Sequence, residues 1–251
     1  MDIIMGDMFT FMSQNPGLIA SIAFIITMIA FYVTRRLRRR QHRSTPSSSF
    51  RNSSSSSKLD KANDQTCRSA MSDIQTMMNR PVRTVVVLGA GGHCREMLTL
   101  LSKVDLNTKY CPILFLLSRD DVMSLNKLKS SGLINGPAIS IQFISRSRQV
   151  GQSYITSIFT TLWSFFESIH ILRRFGCELL ICNGPGTCIP PLIAVKMLFS
   201  KASVVFIESF CRTQTLSLSG KIAYYLADHI LVQWPELARK NSRCKYIGLM
   251  V

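Results

Sequence analysis

Thr84-Val85-Val86-Val87-Leu88-Gly89-Ala90-Gly91-Gly92-His93, followed by Cys94-Arg95-Glu96-Met97-Leu98-Thr99-Leu100-Leu101, joins a β-branched run to a glycine cluster and then to a stretch of helical spacing. β-Branched residues without polar alternation favour a strand buried on both faces, as in a parallel sheet. Glycines at the end of such a strand let the backbone turn sharply and let a ligand approach the main chain. The free N–H groups of the following helix favour an anion. The stretch therefore predicts a doubly wound α/β sheet with a phosphate-type or sugar-phosphate ligand over Gly89, Gly91 and Gly92.

A nicotinamide dinucleotide fingerprint needs a third glycine where Cys94 stands and an acidic residue about 20 positions further on. Here the next apolar run, Pro112 to Ser118, is followed by Arg119, and Asp120 lies too far along. The missing fingerprint speaks against a membrane-bound nucleotide-binding oxidoreductase. A strand–helix turn with no ligand is the plainest alternative.

The flank upstream is unlike the rest. Leu18 to Val33 is apolar except for Ser21 and Thr27, and Arg35, Arg36, Arg38, Arg39, Arg40 and Arg43 follow it. An apolar run of this length is near the short end of what crosses a hydrocarbon core of about 30 Å. Basic residues stay on the cytosolic side, and no Lys or Arg precedes the run. A cleaved signal peptide would carry its charges before the apolar core. The order predicts a short lumenal N-terminus at 1–17, a transmembrane anchor at 18–34 and a basic, Ser-rich cytosolic linker at 35–81. Within that linker Ser44 to Ser57 is too polar to bury a core and reads as a tether.

Residues 82–251 are the size of one domain. They hold 19 Lys and Arg against 9 Asp and Glu, within a chain of 251 residues and net charge +16. That surplus suits anionic head groups or a diphosphate, or simply a solvated surface. The basic cluster beside the apolar run reads as a topological signal, and no nucleic-acid partner is expected. The eight cysteines form no Cys-x-x-Cys pair. In the cytosol they read as small buried apolar residues, and no metal or cofactor is expected.

Strand-like runs at 83–88, 113–118, 139–144, 178–182, 203–208, 229–233 and 245–250 alternate with helical stretches at 94–103, 120–130, 153–174, 190–200, 217–227 and 235–241. Repeated βα units imply a parallel sheet that binds ligands at the carboxyl ends of its strands. The loops there carry His93, then Arg146 and Arg148, then Asn183, Gly184 and Gly186, then Glu208 and Arg212. Arginines suit a diphosphate through paired donors. His93 or Glu208 could take a proton from an attacking hydroxyl. Plainer readings stand beside these: His93 as a helix cap, Glu208 as a partner of Arg212, the arginines as surface charge, Asn183 and its glycines as a tight turn. The long stretch from Tyr154 to Phe175 reads as a core helix, with a membrane-dipping helix as the alternative.

The stretches VVVLGAGGHCREML, SRSRQVGQSY, CNGPGTCIPP, FIESFCR, LSLSGKIAYYLADHILVQWPEL and KYIGLMV together resemble the asparagine-linked glycosylation protein fourteen family. That family is the membrane-anchored subunit of the transferase that adds the second N-acetylglucosamine to the dolichol-diphosphate carrier. The resemblance implies a Rossmann-like domain similar to the acceptor-side half of a GT-B glycosyltransferase, on the cytosolic face of the endoplasmic reticulum membrane. It also implies a soluble catalytic subunit carrying the UDP-N-acetylglucosamine site, and a chain that is inactive or nearly so alone. On that basis Gly89, Gly91, Gly92 and His93 match the loop facing the acceptor, and Glu208 matches an acceptor-side carboxylate. A non-catalytic scaffold is the alternative. The apolar segment Tyr246, Ile247, Leu249, Met250 and Val251, rimmed by basic residues, is expected to seat the partner.

Overall fold

The computed structural model describes residues 80–134, 136, 138–147 and 154–249, with only the helical backbone for 154–156. The expected lumenal N-terminus, anchor and nearly all of the linker lie outside these residues, as do Arg148, Met250 and Val251. Among the described residues no helix is long and apolar enough to cross a membrane.

The elements alternate as β1 (Thr84–Val87), α1 (Gly92–Leu101), β2 (Ile113–Ser118), α2 (Val122–Ser130), β3 (Ile139–Ile144), α3 (Tyr154–Phe175), β4 (Leu179–Asn183), a 3₁₀ turn (Gly186–Cys188), α4 (Ile189–Leu198), β5 (Ser203–Ile207), α5 (Leu218–Leu226), β6 (His229–Val232), α6 (Pro235–Lys240) and β7 (Cys244–Tyr246). The strands form one sheet in the order β3-β2-β1-β4-β5-β6-β7, with every pairing parallel. The expected α/β parallel sheet is the fold observed.

β1 and β2 are buried at every position, as central strands covered on both faces should be. β3 lies at one edge and alternates between half-buried and exposed residues as far as Phe143, with Ile144 buried. The core over β1 and β2 joins Val86, Leu88, Phe115 and Leu117 to Met97 and Leu101 of α1 and Leu128 of α2. Asp121 caps α2 by accepting from Ser124 N at 3.1 Å. Ser217 caps α5 by accepting from Gly220 N at 2.9 Å. Such caps satisfy N–H groups that the helix leaves without internal partners.

Two boundaries differ from the sequence reading in ways that matter. α1 begins at Gly92 rather than 94, because Gly91 turns into the left-handed region at φ 64° and starts the helix early. β7 spans three residues rather than 245–250. It is an edge strand paired only with β6, and Gly248 at φ 81° breaks the extended run. One bond, from Ile247 N to Val232 O at 3.1 Å, continues the ladder before that break.

Candidate functional site

β1 has β2 on one side and β4 on the other, so the chain leaves these two strands in opposite directions. The carboxyl edge between them is the topological switch point where open sheets of this kind bind ligands. The glycine loop sits there. Gly89 is buried and packed tightly: a Cβ on it would lie 2.8 Å from Pro185 Cδ and 2.9 Å from His93 Cβ. Ala90, Gly91 and Gly92 are exposed, and a Cβ on Gly91 or Gly92 would meet nothing within 4 Å. Above them the start of α1 carries no acidic residue in its first turn and no side-chain cap. A helix start of this kind favours an anion.

His93 lies in the first turn of α1, half-buried. It does not cap the helix. Its carbonyl accepts from Asn183 Nδ2 at 2.7 Å, tying the start of α1 to the end of β4. Its imidazole lies against the backbone of Gly184, which holds φ 44°. His93 Nδ1, Asn183 Oδ1 and Glu96 Oε2 are all buried without a hydrogen-bond partner. Buried polar atoms are ordinarily satisfied. Two of these atoms lie on α1 and one at the end of β4.

Glu208 follows β5, two strands from β1, or about 10 Å at the usual strand spacing. It is wholly buried. One carboxylate oxygen accepts from Ser209 N at 3.1 Å; the other accepts from Ser217 N at 2.9 Å and Ser217 Oγ at 3.0 Å. Because Ser217 also caps α5, the carboxylate organises the whole return from β5 to α5. Its partners are these serines and not Arg212. The expected role of proton acceptor meets a geometric obstacle, since a carboxylate with no exposed surface does not reach an incoming hydroxyl.

Glu96 escaped the sequence reading. It is buried in α1, three residues after His93 and so on the same helical side, and it accepts from Ser209 Oγ at 3.0 Å. The spacing His93–Glu96–Met97 carried the signal, because it places Glu96 among buried residues rather than on the solvated face.

Arg146 follows β3, two strands from β1 on the other side, and its Nε donates to Ser118 Oγ at 3.2 Å. The loop beneath it is clamped by α3. Ser145 N donates to Glu167 Oε2 at 2.6 Å, while Thr160 and Thr161 both donate to Ser147 O. Glu167 also receives Arg119 Nη2 at 2.9 Å. Burial works to raise the Glu167 pKa, but the Ser145 hydrogen bonds and the Arg119 charge outweigh it and hold the carboxyl below its ordinary value. The switch point thus gathers Gly91, Gly92, His93, Asn183 and Gly184, with Arg146 flanking it.

At the far end of the same edge, Tyr246, Ile247 and Leu249 are all exposed. Tyr246 and Leu249 line a cleft of about 350 Å³ with Thr213, Gln214, Gln233, Trp234 and Glu236. Trp234 is fixed there by donating to Phe210 O at 2.7 Å.

Residues 84–250 match the family described as oligosaccharide biosynthesis protein Alg14 like. The UDP-N-acetylglucosamine transferase subunit ALG14 of Rattus norvegicus is 38% identical over 179 residues, covering 66% of this chain and 82% of the relative. The corresponding subunit of Schizosaccharomyces pombe is 39% identical over 176 residues, covering 66% and 82%. Among solved structures, the chain is similar to MurG of Acinetobacter baumannii at 16% identity and TM-score 0.48, covering 62% of this chain and 42% of that one. It is also similar to UDP-N-acetylglucosamine 2-epimerase of Rickettsia bellii at 12% identity and TM-score 0.49, covering 68% and 46%.

Proposed function

Since the chain belongs to the Alg14-like family of oligosaccharide biosynthesis proteins, we propose that it is the acceptor-side subunit of an N-acetylglucosaminyltransferase. In this reading it adds the second sugar to a dolichol-diphosphate-linked N-acetylglucosamine together with a soluble subunit that holds UDP-N-acetylglucosamine. The observation that carries the proposal is the crevice at the β1–β4 switch point. There Gly91 and Gly92 are exposed, and the start of α1 carries no acidic residue in its first turn and no side-chain cap, which favours an anion.

The start of α1 and the loop Gly89–Gly92 receive the acceptor's diphosphate, and Arg146 meets it from the β3 side. His93, held by Asn183 and Gly184, takes the proton from the attacking hydroxyl. Glu208 is a positioning residue that fixes the β5–α5 return. The exposed segment around Tyr246, Ile247 and Leu249, with its neighbouring cleft, seats the soluble subunit, which supplies the site for UDP-N-acetylglucosamine. Leu18 to Val33 anchors the chain in the endoplasmic reticulum membrane with the domain on the cytosolic face.

The test is a transferase assay on the full chain co-purified with its partner. His93→Ala lowers the rate about 10²–10⁴-fold, the usual cost of losing a positioned proton acceptor, with partner binding intact. Near-normal activity would overturn the assignment and favour a scaffold. Removing residues 247–251 abolishes co-purification of the catalytic subunit while the fold persists by circular dichroism.

A further inference from the structure

Local chemistry does little to hold the start of α1. Its N-cap, Gly91, sits at φ 64° with no side chain to offer, and Gly92 opens the first turn. The turn therefore lacks the side-chain bond that usually orders a helix start, and its glycines bring extra backbone freedom. Yet this turn carries His93.

Two hydrogen bonds tie it to the sheet instead. Asn183 Nδ2, at the end of β4, donates to His93 O at 2.7 Å. Ser209 Oγ, two residues past the end of β5, donates to Glu96 Oε1 at 3.0 Å. β4 and β5 are paired neighbours, about 4.8 Å apart. His93 and Glu96 are about 4.5 Å apart along the helix axis. One tether leaves a helix free to swing about it. Two tethers, at different points of the helix and on adjacent strands, fix its position and its rotation. Toward α2 the same turns add a weak thiol contact, Cys94 Sγ to Ser124 O at 3.9 Å.

The second tether is directional. Glu96 is 8% exposed and Ser209 6%. Ser209 Oγ accepts from Cys211 N at 3.3 Å, so its one proton points to Glu96. Ser209 N donates to Glu208 Oε1 at 3.1 Å, and Glu208 is itself held by Ser217. The serine is thus fixed before it meets the helix. The other buried side chains of α1 are Cys94, Met97 and Leu101, all apolar. A carboxylate among them costs desolvation that an apolar side chain would avoid. What it adds is a hydrogen-bond acceptor at a fixed place.

We propose that Glu96 is a positioning residue: through Ser209 it sets the start of α1, and with it His93 and the first-turn N–H groups, over the ends of β4 and β5. What the helix positions His93 for rests on the function proposed above; the tether itself does not.

The test uses the full chain co-purified with its partner, in four variants. Ser209→Ala strands the buried carboxylate, and Glu96→Leu strands the serine hydroxyl; each lowers Tm by about 5–10 °C. The double variant Glu96→Leu with Ser209→Ala replaces both polar partners by apolar ones and recovers most of that Tm. Its kcat/KM nevertheless stays about 10²-fold low, because the helix start is no longer placed. Glu96→Gln keeps an acceptor for the serine and costs at most about threefold. In the double variant the amides of residues 95–98, the first to bond within the helix, exchange with solvent about tenfold faster.

A double variant that regains activity along with Tm overturns the proposal, since the pair would then serve packing alone. A double variant no more stable than Ser209→Ala overturns the pairing. Glu96→Gln falling as far as Glu96→Leu overturns it too, because the charge and not the hydrogen bond would be acting. If the unsubstituted complex shows no transferase activity, the proposed function fails, while the melts and the exchange of residues 95–98 still decide the tether.

Discussion

Gly184→Ala is the sharpest test of the switch-point geometry. Gly184 holds φ 44°, and a Cβ there would lie closer than 3.0 Å to Cε1 and Nδ1 of His93. The left-handed backbone alone costs a residue with a Cβ about 1–2 kcal/mol. Displacing a packed imidazole adds an overpacking cost of about 1–2 kcal/mol. A total of about 2–4 kcal/mol corresponds to a fall in Tm of about 5–15 °C for a domain of this size. Activity falls about 10²-fold as the imidazole moves off its position. Gly186→Ala, two residues on, is the matched control: a Cβ there meets nothing within 4 Å and φ is not positive, so the change stays within about 0.5 kcal/mol. Combining Gly184→Ala with His93→Ala removes the clash but not the backbone strain. The double variant therefore recovers about 1–2 kcal/mol relative to additivity. Thermal melts and the transferase assay read the parent and the four variants, His93→Ala alone included. A Gly184→Ala protein that melts with its parent and keeps its activity would refute the placement of His93 against this turn.

Two further outcomes follow from the titratable groups. Glu167 has a lowered folded pKa, so its stabilising contribution is complete above the unfolded value of about 4.3 and fades as pH falls through the lower folded value; Glu167→Gln flattens the acid limb of urea-unfolding curves in that window. Burial pushes the Cys177 thiol up to about 12, and Cys94 is also raised by burial, whereas Cys211 is exposed. Among the described cysteines, native-state alkylation at pH 8 therefore labels Cys211 first and spares Cys94 and Cys177 until unfolding, as peptide mass spectrometry will read.

Much of this architecture is written in local chemistry. The β-branched run Thr84–Val87 and the uniformly apolar Ile113–Leu117 announce central parallel strands, because only strands covered on both faces tolerate such composition. The glycine cluster announces its own turn. What composition does not encode is the direction a side chain faces after its strand ends. Glu208 stands where a functional carboxylate belongs in the chain. Yet the segment beyond it folds back through Ser209 and Ser217 and turns the carboxylate inward. That orientation depends on a return loop whose conformation no periodicity specifies. Glu96 was missed for the opposite reason: a charged residue within a helix reads as solvated unless its helical angle is compared with its neighbours. The run 245–250 predicts a longer strand than β7, because an apolar run looks the same whether Gly248 continues it or breaks it.

The register that sets β1 against β4 has a consequence in time. Thr84 pairs with Leu179, about 95 residues later in the chain. Closing a loop of that length costs about 4 kcal/mol of chain entropy before any contact compensates. During synthesis at about 5–20 residues per second, His93 waits roughly 5–20 s for Asn183, 90 residues downstream, to emerge. Through that interval β3, β2 and β1 can assemble as a three-stranded half-sheet. β1 then shows an unpaired apolar edge, the kind that recruits foreign strands. The crevice is thus the last part of the sheet's centre to exist, and the nascent chain is most prone to aggregate at the seam that later becomes its binding site.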